Sequence, residues 1–490
     1  MNALLNKLMM FLIPLLLLVA CGGGGGSGSM SSSTAAPQSA FSSGAITGFG
    51  SVIVNGVHFD DNGADITMDD QMDDNKGVKD DLRVGMVVEI EGTNNGDGTG
   101  KASSIRFQNL VRGPVDSMSG STLMVMGQPV LVTPATVFDD VADLGSITPG
   151  NIVAVSGFFD SLDPTKTNNI VARRIEKKPA GFLQSSGVLK VMGFVKNLTM
   201  GATTFTINNL TVNYNNAQIE GATAATLKDG MFVDVRAHTA PAPGGMLAAE
   251  KVKVKSPKPT PAEGARAEVE GIVTSCIGDA FVIGGITVEA RSAGMTCTSA
   301  LVGTKLEVEG VITNGMLVVG AGKVEKEHDE DANITIEALA QAMDGTANTV
   351  TVLGQQIKVT SATQFEGMDD QTDHFFSLNK IHQGDALQIR AFQDTSGALV
   401  ALRVERLSQL SSVAVQGPMG ATDPMTMSFT IAGIKVQGGP KTQWRNNTGP
   451  VDANTWFATT ALNTVVKGNG VADMDGKSVD VTAGEVQAGD

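Results

Sequence analysis

Apolar and polar residues alternate with a period of two over short runs along most of the chain, and turn-forming residues separate the runs. The stretch Leu123-Met-Val-Met-Gly127-Gln-Pro-Val-Leu-Val132 shows the pattern: two short runs about a central glycine, the signature of a tight hairpin. Val350-Thr-Val-Leu-Gly354-Gln-Gln-Ile-Lys-Val359 repeats it, and Ile431-Ala-Gly-Ile-Lys-Val436 gives a third version. Segments of this kind predict an all-β protein.

The alternation is organised into a repeat. Gly85-Met-Val-Val-Glu-Ile-Glu-Gly92 recurs as Gly150-Asn-Ile-Val-Ala-Val-Ser-Gly157 and as Gly303-Thr-Lys-Leu-Glu-Val-Glu-Gly310. Two copies end in alanine, Gly230 to Ala237 and Gly384 to Ala391, and a degenerate sixth is read from Ala461 to Gly468. A turn such as Asn94-Asn95-Gly96-Asp97-Gly98 follows, then a strand with Ala-x-x-Ile/Val, as in Ala102 and Ile105 or Ala172 and Ile175. Ahead of the glycine strand, Thr136 and Phe138, Thr363 and Phe365, and Thr442 and Trp444 follow the hairpin. A unit of ~65–80 residues with five or six short strands has the size of a small closed barrel. Closure would dispose of exposed strand edges, and the entry glycine suits a tight turn or bulge at a barrel corner. The expectation is a tandem array of about six OB-like β-barrels, with a stack of open sandwiches as the alternative.

The repeats are placed at residues 44–110, 111–179, 188–255, 265–327, 333–408 and 412–490, the last degenerate. Ser256-Pro-Lys-Pro-Thr-Pro261 makes residues 256–264 a proline-rich linker before the fourth. The motif set resembles the repeated domains of unknown function found in bacterial lipoproteins and secreted proteins, from about Gly44 onward. Repeats four and six depart most. The resemblance implies fold and location and brings no catalytic residues.

The N-terminus carries a different signal. Lys7 supplies a modest positive start, and Leu8 to Ala20 is an almost unbroken apolar run, too short for a stable span. Residues 1–20 are therefore read as a signal peptide. Leu18-Val19-Ala20-Cys21 resembles the lipobox of bacterial lipoproteins. That resemblance implies cleavage before Cys21 and its lipidation, and several acyl chains anchor where one does not. Gly22 in place of Asp implies, by analogy, sorting to the outer membrane, facing periplasm or cell exterior. Residues 21–43 are rich in Gly and Ser and read as a flexible tether. With Cys21 set aside, Cys276 and Cys297 enclose one predicted hairpin in an exported segment, where disulfides persist. A bridge between them is expected, worth on the order of 3 kcal/mol, with two free thiols as the alternative.

Composition narrows the function. Aromatics are 4% of residues, so Val, Ile, Leu, Ala and Thr must fill the cores. A formal charge of −16 argues against a nucleic-acid partner, since phosphate binding needs a basic surface. Asp60, Asp61, Asp65, Asp69, Asp70, Asp73 and Asp74, with Asp80 and Asp81 beyond, crowd the first repeat. Calcium takes several oxygen ligands at once, which makes these aspartates a candidate metal site. Their spacing is not that of an EF-hand, and a solvated acidic loop is the plainer reading. Asp369, Asp370, Asp373, His374 and His382 form a weaker mixed set. Met118, Met124, Met126, Met419, Met425 and Met427 alternate within predicted strands and are read as core filling rather than copper ligands. The five histidines are scattered, and no nucleophile elbow, zinc helix or phosphate loop is present. The expectation is a lipid-anchored, non-catalytic envelope protein without a cofactor, binding a glycan or another envelope protein. Calcium binding and an uncharacterised hydrolase activity are the alternatives.

Overall fold

The computed structural model describes residues 38–488 except 49–50, 97, 142, 243, 327–332, 361, 368–375, 395, 411 and 447–448. Cys21, the signal peptide, residues 22–37 of the expected tether, and Asp369, Asp370, Asp373 and His374 lie outside the described residues. Residues 38–43, read as tether, instead begin the first strand of barrel one, where the backbone of 40–43 is paired on both sides. Among the described residues the protein is all-β, with one short α-helix, Ala453–Thr459. Among the described residues no helix is long and apolar enough to cross a membrane.

One strand circuit occurs six times. In barrel one the first strand, Gln38–Gly48, pairs antiparallel with the second, Val52–Val54, which pairs with the third, Val57–Asp60. The third runs parallel to the fifth, Thr99–Phe107. The fifth pairs antiparallel with the fourth, Val87–Asn94, and the fourth closes onto the first. This ring is the five-stranded Greek-key closure of an OB-type barrel. Barrel two (first strand Val111–Ser119), barrel four (Arg266–Ile277), barrel five (Ile334–Asp344) and barrel six (Val413–Asp423) close in the same order. Barrel three splits its first strand into Leu189–Phe194 and Lys196–Thr199, and its last into Met246–Ala248 and Lys251–Lys255, without changing the order.

The motif glycines have distinct duties within this circuit. Gly85, Gly150, Gly230, Gly303 and Gly384 all have φ between +81° and +92°, which L side chains rarely adopt. Each amide donates to the first strand of its own barrel, as Gly85 does to Ile46 and Gly150 to Val115. The residue making this bond in barrel six is Asn463, at φ +66°, bonded to Met419. The sixth copy of the motif therefore runs from Asn463 to Gly470, two residues later than the pattern suggested. Asparagine tolerates the left-handed region, which hid the match. The closing glycine sits at a bulge where the fifth strand crosses. A Cβ on Gly92, Gly157, Gly310 or Gly470 would stand 2.0–2.2 Å from a carbonyl oxygen of that strand.

The threonine of Thr-x-Phe also has one repeated role. Thr136, Thr363 and Thr442 each donate their hydroxyl to a fifth-strand carbonyl, of Ala172, Ala401 and Val481, at 2.6–2.7 Å. Below it, a single 3-10 turn precedes a buried plug such as Leu82, Ile147 or Ile381. In barrel six the plug is the helix, capped by Asp452, with Trp456 fully buried against Trp444 and Phe429.

Closure does not remove every edge. The first strand must bend to meet the second on one side and the fourth on the other, so its early half keeps one unpaired edge. In all six barrels that edge pairs with the matching edge of another barrel. Barrels one and four join in parallel, Ala40↔Arg266 to Ser43↔Val269. Barrels two and three join antiparallel at Arg112↔Lys190 and Val111↔Val191. Barrels five and six do so at Thr335↔Gln416 to Glu337↔Ala414. Apolar cores merge at these joints. One cluster spans barrels two and three, another spans five and six, and Phe41 of barrel one packs into the core of barrel four.

Replacing Gly157 by alanine is expected to destabilise the protein by about 3 kcal/mol, because its Cβ meets the Val171 carbonyl at 2.1 Å. Gly201→Ala, with open space around it, is expected to stay within about 0.5 kcal/mol. Denaturant midpoints of the two variants check the contrast.

Candidate functional site

The aspartate-rich stretch of barrel one is a loop leaving the short strand Asp65–Met68, which pairs parallel to the fifth strand. That pairing turns the loop away from barrel one and against barrels two and three. Asp69 is 1% exposed. It accepts hydrogen bonds from the backbone and side-chain amides of Asn109, at 2.7 and 3.0 Å. It also pairs with Lys190 of barrel three, and lies 3.7 Å from Arg112 of barrel two. Lys190 is fully buried and reaches Asp234 as well, at 3.6 Å. Asp234 is forked by Arg236 at 2.9 and 3.1 Å and approached by Lys255 at 3.1 Å. Arg236 and Lys251 carry the network back to Asp74 and Asp73.

Isolated charges at such depth would cost several kcal/mol each, so their presence demands compensation. The carboxyl of Asp234 shows it. Burial pushes this group up, but Lys190, Arg236 and Lys255 outweigh burial and hold it well below the usual carboxylate range. Asp69 follows the same balance, lowered by Lys190 and Arg112 against burial. The cluster is thus an ionic joint between three barrels.

The structure does not bring the seven candidate aspartates together as one donor set. Asp69, Asp73 and Asp74 are paired to protein cations in the joint. Asp60 caps its own turn through the Asn62 amide, 3.1 Å away, and Asp65 is exposed at the start of its strand. Asp61 is half-buried, and Asp70 faces a cavity. Among the described residues, the carboxylates whose oxygens all lie within 4.8 Å of one another are Asp139, Asp140 and Glu176 of barrel two. Sequence reasoning missed this triad because Glu176 follows Asp140 by a whole strand pair.

The triad opens on a cavity of about 600 Å³ where barrels one, two and five meet. Asp70 and Asp81 of barrel one and Glu366 and Glu405 of barrel five also line it, with Arg83 and Lys178 on the wall. Asp139 is paired to Arg174, Glu176 to Lys178 and Glu366 to Arg403. Asp140 is held at φ +55°, and its carboxyl is raised by burial and by its neighbours Asp139 and Glu176. The lining gathers oxygen donors and negative potential, which suits cationic groups rather than anions.

Cys276 and Cys297 form a disulfide, Cα–Cα 5.6 Å, pinning the loop before the fourth strand of barrel four to the end of its first strand. His382 is exposed, 3.9 Å from Asp385. Met126 and Met419 are core residues, whereas Met425, 94% exposed on a hairpin turn, is not. Lys190, Asp234 and Arg236 went unread in the sequence. Their one signal was charge inside strands otherwise apolar on both faces, as in Phe232-Val-Asp-Val-Arg-Ala237.

Fold and joints define a tandem-repeat protein of OB-type barrels fused edge to edge. Four stretches, residues 43–106, 112–176, 192–253 and 335–405, match one family model, described as a domain of unknown function, DUF5666. They cover more than half of the sequence, and the chain belongs to this family. Barrels four and six, outside the matched stretches, share the same circuit. Comparison with curated proteins gives no match.

Lys190→Met is expected to cost about 3–5 kcal/mol, since it leaves Asp69 and Asp234 facing each other with less compensation. Asp73→Asn, at an exposed end of the network, is expected to leave the melting temperature unchanged. Thermal melts of both variants make the test.

Proposed function

We propose that this is a lipid-anchored cell-envelope protein with a binding or structural role rather than a catalytic one. The observation that carries the reading is the use made of buried charge. Asp69, Lys190, Arg112, Asp234 and Arg236, the kind of buried ionic groups an enzyme arranges around its substrate, are committed to holding barrels in place. What remains for recognition is the outer surface: the loops that differ between repeats and the acidic cavity between barrels one, two and five. Such a framework suits another envelope protein or a glycan, with cationic groups favoured at the cavity.

The anchor follows from Leu18-Val19-Ala20-Cys21 and the Gly/Ser tether behind it. A thiol carrying diacylglycerol on an acylated terminus would hold the array at a bilayer, by analogy the outer membrane, facing the periplasm or the exterior. Cys21→Ser is expected to move the protein from the membrane fraction to the soluble one on cell fractionation. Continued sedimentation with membranes would sink the anchoring. The released form then serves as bait for envelope extracts and glycan arrays, where silence in both would remove the binding role.

A further inference from the structure

The joint between barrels one and four holds a carboxylate whose neighbours do not compensate it. Glu268, on the first strand of barrel four, is 5% exposed and stands directly opposite Glu309 in the ladder to the fourth strand. Both nearby cations serve Glu309: Arg266, on Glu268's own strand, and Lys323, on the fifth strand, pair with it. The nearest approach of Arg266 to Glu268 is 3.9 Å. Across the joint, barrel one offers neutral groups. Asn94 donates to Glu268 Oε1 at 3.2 Å, and Asn55 donates to the Glu268 carbonyl at 3.1 Å and to Ser42 at 3.1 Å. Glu268 Oε2 has no hydrogen-bond partner among the described residues.

Glu270, two residues along the same strand, shows the contrast. Its Oε2 accepts from the Ala45 amide of barrel one at 2.6 Å, and its other oxygen pairs with Lys305 and lies 3.6 Å from Arg173 of barrel two. Glu270 thus bridges three barrels through partners from each. Glu268 lacks both the backbone donor and the close cation that Glu270 has.

We propose that Glu268 is an acid-stabilised latch on the joint between barrels one and four: the neutral side chain permits the parallel pairing, and its ionisation loosens it. Burial first, and then the Glu309 carboxylate, push the Glu268 carboxyl up to about 7, against the pull of Arg266 and Lys323. A group raised in the closed joint and ordinary in the open one takes up a proton on closing. Its contribution is complete below about pH 4.5 and is lost as pH rises through about 7. The early halves of the two first strands would then open more readily, while Glu270 and Phe41 still hold barrel four against barrel one.

Amide hydrogen exchange on the full chain between pH 5 and 8, corrected for intrinsic rates, tests the latch. Protection of residues 40–43 and 266–269 is expected to fall at least about tenfold from pH 5 to 7.5 and then to level. The joint of barrels five and six, where Ile336 faces Val415, is the internal control and is expected to stay constant. Glu268→Gln is expected to abolish the fall. Glu309→Gln, which leaves Glu268 in place and frees Arg266 and Lys323 to pair with it, is expected to shrink the fall and provides the test if the first variant does not fold. Flat protection in the unmodified chain, an undiminished fall in Glu268→Gln, or an undiminished fall in Glu309→Gln overturns the proposal.

Discussion

The unpaired edge on the early half of each first strand is the constraint that organises this molecule. A five-stranded ring can close only if its first strand bends, meeting the second strand with its late half and the fourth with its early half. Backbone groups on the early half of that strand are then left facing outward. Exposed, such an edge invites uncontrolled pairing. Here six edges cancel in three pairs, and sheets and cores run through from one barrel to the next. The parallel joint of barrels one and four brings together barrels with two others between them in sequence, so the array is not a simple string.

Buried charge adds a second kind of joint. The loop of Asp69 to Asp74 is pushed against barrels two and three, and water is removed from Asp69 and in part from Asp74. Lys190, Arg112 and Arg236 offset that desolvation from three directions. The balance is fragile in a useful sense: an ion pair of this kind adds little net stability, yet losing one partner leaves an uncompensated charge. It therefore specifies which barrels meet more than it strengthens them. Glu268 lies at the other end of the same scale, buried beside a like charge, and its joint responds to protons accordingly.

Much of the fold was legible because its demands are local. Gly85 and its counterparts need positive φ, Gly157 needs the absence of a Cβ, and Thr136 needs a hydroxyl three residues from the end of its turn. These requirements recur with the circuit, so they repeat in the sequence. The slip of two residues in barrel six arose where asparagine stands in place of the entry glycine, at a positive φ that asparagine tolerates. The site was less legible. Asp139, Asp140 and Glu176 meet because the third and fifth strands run side by side, and Lys190 meets Asp69 of barrel one because the edge shared by barrels two and three sets it beside Arg112. No spacing along the chain records either event.

Sequence alone determined the strand periodicity, the six-fold repeat, the small barrel as its unit and the expected pairing of Cys276 with Cys297, since each follows from residues near one another or from a repeated pattern. Tertiary structure decided which barrels pair, which acids are neutralised by which bases, and where carboxylates gather around a cavity. Those outcomes depend on how open edges find one another in space and on the desolvation that follows, and both are properties of the assembled barrels rather than of any segment.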